Sequence, residues 1–186
     1  SALLMTMMFG MYSAGQWKDE RESNLLDGAA HFYGCYECKD GKYISIGSIE
    51  PQFYASLIEN MELDASKFSN QFDKNSWPNL KELIGLRFKE KTRDEWCKIF
   101  TGKDICFAPV LSLEESLNNQ HNLDRETFVE VAGIKQPAPA PRFSRTESEI
   151  KHPPLKVGSN TPEIIESLSS KIDVSALSDK KIIRLD

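Results

Sequence analysis

Two short runs rich in aromatic and β-branched residues, HFYGCYEC and YISIG, are separated by the tetrapeptide KDGK at positions 39–42. Residues of these kinds favour strands because they pack well on a pleated, half-buried surface. An Asp-Gly pair between two such runs is typical of a tight turn, since glycine adopts positive φ angles without steric cost. The sequence therefore predicts an antiparallel β-hairpin here.

The segment EPQFYASLIENM follows the second run directly and predicts an α-helix. Its apolar residues recur at helical spacing and form one face: Phe53, Tyr54, Leu57, Ile58 and Met61. Pro51 suits the first helical position because its missing N–H would have no partner there. Glu50 is predicted as the N-cap or a first-turn acid, which the positive end of the helix dipole favours. Aspartate, serine, threonine and asparagine are the usual caps, so a glutamate is an unusual choice.

Further helices and one more strand are predicted downstream. Apolar residues at helical spacing indicate a second helix: Trp77, Leu80, Ile84 and Phe88. Thr92 with Glu95, and Ser112 with Glu115, have the spacing of capping boxes and predict the starts of two more helices. Between them ICFAPVL predicts a strand, which Pro109 restricts to the edge of a sheet because proline lacks an N–H.

The composition changes at QPAPAPRF, where alternating prolines predict an extended, semi-rigid connector. The polar segment TESEIKHPPLKVGSN continues this connector. The tripeptide TPE at positions 161–163 then predicts the start of a final helix. That helix carries Ile164, Ile165 and Leu168.

Together these patterns predict an α+β fold. We expect a small domain in which helices pack a short antiparallel sheet, made of a hairpin plus an edge strand, followed by an extended tail with terminal helices. The predicted segments are an apolar helix and connector at 1–24, the small α+β domain at 25–131, and a proline-rich connector and tail at 132–186.

Composition and charge exclude several classes of protein. Of the 186 residues, 40% are hydrophobic and 27% are charged, which describes an ordinary globular chain rather than a disordered one. The formal net charge is −5, whereas nucleic-acid partners require a basic surface. We therefore expect no nucleic-acid partner.

The N-terminal run SALLMTMMFGMY is apolar on nearly every side and predicts a helix from Leu3 to Tyr12 that is buried or forms an interface. It is shorter than the ~18 residues of a membrane span and lacks a basic leading segment, so we expect no span and no targeting peptide. The run carries several methionines, whose adaptable side chains suit varied apolar ligands: Met5, Met7, Met8 and Met11. Their spacing alone favours ordinary helix packing.

Cys35 and Cys38 form a C-x-x-C pair, the kind of spacing found in zinc and redox sites. No second pair exists, and positions three apart on a strand point to opposite faces, which favours two ordinary packed thiols. Four cysteines are too few for a disulfide framework, so we expect reduced thiols in a cytosol-like compartment. The three histidines lack metal-ligand spacing, and His31, the one nearest the hairpin, is expected to be structural.

The run NLLDGAAHFYGCYECKDGKYISIGSIEPQFYASLIENMELD resembles α-methylacyl-CoA racemases, members of the CaiB/BaiF (class III CoA-transferase) superfamily. The resemblance continues through WPNLKELI, EWCKIFTGKDICFAPVLSLEE, PAPAPRFSRT and SDKKII, and so covers nearly all of the chain. The segment IEPQFY is the most specific, since it resembles the racemase branch. The resemblance implies inversion of the 2-methyl stereocentre of a fatty acyl-CoA thioester. It implies no metal or redox cofactor, because CoA is part of the substrate.

The resemblance also implies roles for particular residues. In these racemases a base removes the α-proton, an enolate forms, and an acid on the opposite face returns a proton; the two sides are served by an Asp and by a His paired with a Glu. Glu50 matches that glutamate, and Ile49 lies beside it. Tyr33 matches a tyrosine near the acyl-CoA, while Met5 and Met8 fall where the family lines its acyl groove with methionines.

The histidine and the aspartate belong, by this resemblance, to an N-terminal large domain that the chain lacks. The family forms homodimers with interlocked large and small domains, in which the segments 1–24 and 132–186 would join 25–131 to the large domain. We therefore expect a cytoplasmic homodimer when the protein is complete and an inactive chain when it is alone.

Two other interpretations stay open. A CoA-transferase of the same superfamily would move CoA between carboxylic acids through a carboxylate nucleophile, although IEPQFY argues against it. A free-standing small domain that dimerises through its apolar N-terminal helix would be a non-catalytic interaction module.

Overall fold

Helices alternate with short antiparallel sheets along the chain, which confirms the predicted α+β class. The computed structural model describes residues 2–168 and 173–183. By its internal contacts the chain divides into two units, residues 1–112 and 113–186. The three-segment division predicted from the sequence stays a prediction, and parts of its first and last segments lie outside the described residues.

The first unit is built on a three-stranded antiparallel sheet with the order β1-β2-β3. Its strands are β1 Tyr33–Glu37, β2 Tyr43–Gly47 and β3 Phe107–Val110. The predicted hairpin is confirmed, and Gly41 in its turn has a φ of 73°. The predicted strand around Pro109 is confirmed as an edge strand, where a missing N–H is tolerated.

Helices cover this sheet: α2 Pro51–Asn60, α3 Trp77–Phe88 and α4 Arg93–Phe100. The predicted apolar face of α2 is confirmed, since Leu57 and Met61 are fully buried. The capping box of α4 is also confirmed. The Thr92 side chain accepts from the backbone N–H of Glu95, and the Glu95 carboxylate accepts from the Thr92 N–H at 2.8 Å.

An aromatic cluster joins these helices to the sheet. Tyr36 of β1 stacks on Phe88 with ring centroids 5.2 Å apart, and Trp96 meets Phe88 edge-on at 5.3 Å. The Trp96 indole N–H donates to the Phe88 carbonyl at 2.9 Å, so the ring is buried without an unpaired donor. Burying a large side chain stabilises a fold by roughly 1.5–3 kcal/mol, and this cluster therefore anchors α3 and α4 on the sheet.

The N-terminal apolar run is helical, as predicted: a 3₁₀ turn over Ala2–Met5 leads into α1, Thr6–Ser13. The expectation that it is buried within the chain is wrong, because no residue of either element is buried and Leu3 is 89% exposed. Too few other elements pack on the helix to cover its apolar sides. The alternative, an interface helix, stays a prediction. Among the described residues, no helix has both the length and the apolar character to cross a membrane.

The second unit carries short elements only: α5 Leu113–Leu117, α6 Gln120–Asp124, β4 Phe128–Val131, β5 Ile134–Pro137, α7 Thr161–Ser167 and α8 Val174–Asp179. Helices begin after Ser112 and at Thr161, as predicted. Strands β4 and β5 form a hairpin that was not predicted, with Ala132 and Gly133 at φ 52° and 78° in its turn. The start of the predicted proline-rich connector therefore belongs to β5.

Candidate active site at the end of the central strand

Glu50 lies in the short link between β2 and α2. It occupies the N-cap position of α2 with an extended backbone, φ −71° and ψ 142°, and its carbonyl accepts from the Tyr54 N–H at 3.0 Å. Its side chain is exposed and makes no capping hydrogen bond. The predicted N-cap position is therefore confirmed, while the exposed carboxylate is not used for capping.

The link that carries Glu50 is held by both neighbouring strands. Ser48 donates from its N–H to the Phe32 carbonyl at 3.0 Å, next to β1. Its hydroxyl donates to the Ile105 carbonyl at 2.5 Å, next to β3. The Gly47 N–H donates to the Cys106 carbonyl at 2.8 Å on the same side. The backbone leading to Glu50 is therefore fixed by parts of the chain that are distant in sequence.

A third support comes from the loop between α2 and α3. The side-chain amide of Gln71 donates to the carbonyls of Ser48, at 3.1 Å, and Ile49, at 2.8 Å. The backbone carbonyl of Gln71 accepts a hydrogen bond from the Trp77 indole N–H at 2.8 Å. Sequence reasoning missed Gln71, because a glutamine in a polar loop shows no periodicity and matches no motif.

Tyr33 lies across the sheet from the end of β2. It pairs with Gly47, and a Cβ added to Gly47 would lie 3.6 Å from the Tyr33 ring. Both residues are half-buried, as is Ile49, which packs against the core. The structure therefore brings Tyr33 and Ile49 to the same end of the sheet as Glu50.

Cys106 is a further member of this neighbourhood that the sequence analysis did not single out. Its thiol is exposed, and its backbone has a positive φ of 58°. Burial first, and then the negative charges of Asp104 and Glu50, raise the pKa of the Cys106 thiol. The hydrogen bond from the Gly47 N–H to the Cys106 carbonyl places Cys106 beside the end of β2 that leads to Glu50.

Met5 and Met8 lie elsewhere in the first unit. Together with Phe9, Tyr12, Trp17 and Asp19 they line an open cleft beside α1. The residues that line it do not include Glu50, Ile49 or Tyr33. The predicted substrate-binding role of Met5 and Met8 stays a prediction.

His31 is a core residue, as expected. It is fully buried, and its Nε2 lies 2.7 Å from the Tyr54 hydroxyl, which donates to the Phe68 carbonyl at 3.1 Å. Because the hydroxyl proton is used toward Phe68, Nε2 must carry the hydrogen, and Nδ1 has no partner among the described residues. Burial lowers the pKa of His31 to about 4, so the ring is neutral near pH 7.

The two cysteines of the C-x-x-C pair are separated in the way the strand period predicts. Cys35 is exposed, whereas Cys38 is buried. Burial raises the pKa of the Cys38 thiol to about 11, the opposite of what a reactive or metal-binding thiolate needs. Among the described residues, no group of three or more histidine, cysteine, aspartate or glutamate side chains is arranged to hold a metal ion.

Comparisons with known proteins concern the chain as a whole. Residues 1–161 match the family described as CoA-transferase family III. Alpha-methylacyl-CoA racemases from Mus musculus and Homo sapiens are each 36% identical to the chain, over 190 and 188 residues. The alignments cover 100% and 98% of this chain but 50% and 49% of those proteins. The chain thus spans about half the length of the curated relatives it matches.

A solved structure of a CaiB/BaiF family protein from Brucella suis is similar in fold. Its TM-score with this chain is 0.64, covering 91% of this chain and 45% of that one, at 15% sequence identity. At this level of identity the likeness concerns the fold alone.

Proposed function

Because the chain belongs to CoA-transferase family III, we propose that it is the C-terminal part of an α-methylacyl-CoA racemase-like enzyme. Such an enzyme epimerises a 2-methylacyl-CoA thioester, in which CoA is part of the substrate and no separate cofactor takes part. The observation that carries the proposal is 36% identity with two proteins named as racemases, along essentially the whole chain.

In this proposal Glu50 acts with a histidine that another domain supplies. Epimerisation needs two acid–base groups on opposite faces of the α-carbon, and this chain would contribute only the partner of one of them. An exposed carboxylate that does not cap its own helix can accept a hydrogen bond from an imidazole. It would orient the ring and stabilise the imidazolium that forms on proton abstraction.

Tyr33 and Ile49 would line the acyl-CoA beside Glu50, and Met5 and Met8 would contact the acyl chain. The missing groups would come from a large domain in a cytoplasmic homodimer with interlocked large and small domains. Half-length coverage of the relatives supports this arrangement, because it leaves room in the complete polypeptide for such a domain.

Hydrogen–deuterium exchange tests the proposed reaction. The complete translation product of the gene, incubated with a 2-methylacyl-CoA in deuterated water, should incorporate deuterium at the α-carbon and lose optical purity. This 186-residue chain alone should do neither, because in this proposal both acid–base groups, the histidine and the aspartate, belong to the large domain. Exchange by the chain alone at the rate of the complete product would contradict the proposed division of catalytic groups.

Glu50→Gln in the complete product tests the role of the carboxylate. We expect the exchange rate to fall by about 10²-fold or more, the range for loss of an acid–base contribution. The unfolding midpoint should not change, because the side chain makes no capping hydrogen bond. Glu59→Gln on the exposed side of the same helix is the matched control, and equal exchange rates in both variants would remove Glu50 from the mechanism.

A second candidate function is CoA transfer between carboxylic acids. The description of the matching family as CoA-transferase favours it. Incubating the complete product with one acyl-CoA and a second carboxylic acid distinguishes the two reactions. New thioester without loss of configuration would favour the transferase.

The exposed apolar segment formed by the 3₁₀ turn Ala2–Met5 and helix α1 favours a third candidate, a non-catalytic module that dimerises through this segment. Leu3 and Leu4 are 89% and 88% exposed, and Phe9 is also exposed. A dimer that dissociates on Phe9→Glu, together with no detectable exchange or transfer by the complete product, would favour this module.

A further inference from the structure

The Gln71 side-chain amide donates hydrogen bonds to two consecutive peptide groups just before Glu50. Its Nε2 donates to the Ser48 carbonyl at 3.1 Å and to the Ile49 carbonyl at 2.8 Å. Only the nitrogen of the amide can donate twice, so the two acceptors determine which way the amide is turned. Both hydrogens of the side-chain amide are therefore committed to the link that carries Glu50.

Because the peptide bond is planar, the hydrogen bonds to the Ser48 and Ile49 carbonyls also restrict the backbone position of Glu50. The Ile49 carbonyl and the Glu50 nitrogen belong to one rigid plane, which also contains the Glu50 Cα. Holding the Ile49 carbonyl therefore fixes the position from which the Glu50 side chain extends. The bond to the Ser48 carbonyl fixes the preceding plane in the same way.

The two hydrogen bonds of the Gln71 amide are buried, and Gln71 itself is bonded to a helix. Gln71 is 7% exposed, so its hydrogen bonds are shielded from competing water. The backbone carbonyl of Gln71 accepts a hydrogen bond from the indole N–H of Trp77. Trp77 is the first residue of α3 and is 3% exposed. A continuous chain of contacts thus runs from α3 through Gln71 to Ile49 and Glu50.

We propose that Gln71 is a positioning residue for the reaction, which holds the Ser48–Ile49 backbone so that the Glu50 carboxylate meets its partner in the correct place. This inference rests on the proposed function. The role needs a side chain with two donors, and a purely accepting side chain such as glutamate cannot replace the Gln71 amide. Misplacement of a reacting group by about 1 Å can lower a rate by about 10²-fold, so a support of this kind has a large effect on turnover.

Two variants of Gln71 separate the hydrogen bonds from the shape of the side chain. Gln71→Met keeps the length and removes both donors. Gln71→Glu keeps the shape and places acceptors against two carbonyls. Ile84→Val, in the core face of α3, is the matched control, since it weakens the same unit without touching the link.

The first measurement is the backbone mobility of Ile49 and Glu50 by ¹⁵N relaxation in the full chain. We expect both amides to be as rigid as the strands in the parent and in Ile84→Val. In both Gln71 variants they should become mobile. Unchanged rigidity in both Gln71 variants would overturn the inference.

The second measurement is α-proton exchange by the complete translation product. Both Gln71 variants should lower kcat by at least about tenfold, because the Glu50 carboxylate is misplaced in the transition state, and the fall in kcat should exceed any change in KM that mobility of Ile49 causes. Trp77→Phe, which removes the indole donor, should lower kcat by a smaller factor. A rise in KM with kcat unchanged would also overturn the inference.

The two proposals fail in different ways. If the parent product catalyses no exchange, the proposed function is wrong, and the mobility measurement alone decides whether Gln71 holds the link. If the parent is active and the Gln71 variants are mobile yet equally active, the positioning role is wrong and the proposed function stands.

Discussion

The two hairpins of the chain have similar turns and different surroundings. Gly41 in the β1–β2 turn and Gly133 in the β4–β5 turn have φ angles of 73° and 78°. Helices cover β1 and β2, and Ile44 of β2 is fully buried, whereas no described residue of the second unit is buried. A lone two-stranded hairpin is marginally stable in water. Turn chemistry thus pairs the strands in both places, while burial provides stability and a fixed site in only one.

The largest effect should come from the aromatic cluster of the first unit. Trp96→Ala is expected to lower the free energy of unfolding of that unit by about 3–5 kcal/mol, from lost burial and the cavity left behind. Urea denaturation followed by tryptophan fluorescence and circular dichroism measures this loss. Leu113 in the second unit is 89% exposed, so Leu113→Ala should change the free energy of unfolding of the first unit by less than about 0.5 kcal/mol.

Hydrogen exchange then tests whether the two hairpins are independent. In Trp96→Ala, the amides of β1 and β2 should lose protection while those of β4 and β5 keep their original rates. Parallel loss of protection in both hairpins would show that they unfold together, and the contrast drawn between them would be incorrect.

The next effect is a dependence of stability on pH that belongs to the first unit. In the unfolded chain His31 takes up a proton near its usual pKa of 6.5, whereas in the folded chain burial lowers the pKa to about 4. The stability that the neutral ring contributes is therefore fully present above pH 6.5 and is lost as the pH falls toward 4. The total loss is about 3 kcal/mol.

Denaturation at a series of pH values measures this loss. His31→Gln should flatten the curve between pH 6.5 and 4, whereas His152→Gln, at an exposed residue of the second unit, should leave its slope unchanged. A slope that persists in His31→Gln would assign the pH dependence to other groups.

The smallest effect comes from a matched pair of glycine substitutions. Gly41→Ala and Gly133→Ala place the same side chain at nearly the same positive φ, and beyond the two adjacent residues no atom lies within 4 Å of the added Cβ. Each costs roughly 1–2 kcal/mol locally. Only Gly41→Ala should lower the global unfolding free energy of the first unit, since that hairpin forms part of its core. Equal global effects would mean that the second hairpin is also coupled to a stable core.

The difference between the hairpins also explains what the sequence could predict. Asp-Gly between aromatic and β-branched runs is a strong local signal, and the helices that follow show clear apolar periodicity. The second turn begins with Ala132, a residue that rarely takes a positive φ, and its strand β5 runs into prolines. The sequence therefore indicated a connector where a hairpin is found.

The candidate site was predictable to a similar extent. Glu50 stands out locally, because an acid before a proline at a helix start is a recognisable pattern. Gln71 makes its bond to Ile49 across 22 positions of sequence, and only the path of the intervening loop brings them together. The sequence left open whether α1 is buried within the chain or forms an interface, because the apolar character of a helix does not tell which surface will cover it.

The position of Cys106 beside the end of β2 has a practical consequence for spectroscopy. Cys35 and Cys106 are the exposed thiols of the chain's four cysteines. Once Cys35 is replaced by serine, Cys106 is the exposed thiol that remains, and a maleimide fluorophore or nitroxide attached there would report on the end of β2 that leads to Glu50. Labelling should be done above neutral pH, because the raised pKa of this thiol leaves little reactive thiolate at pH 7.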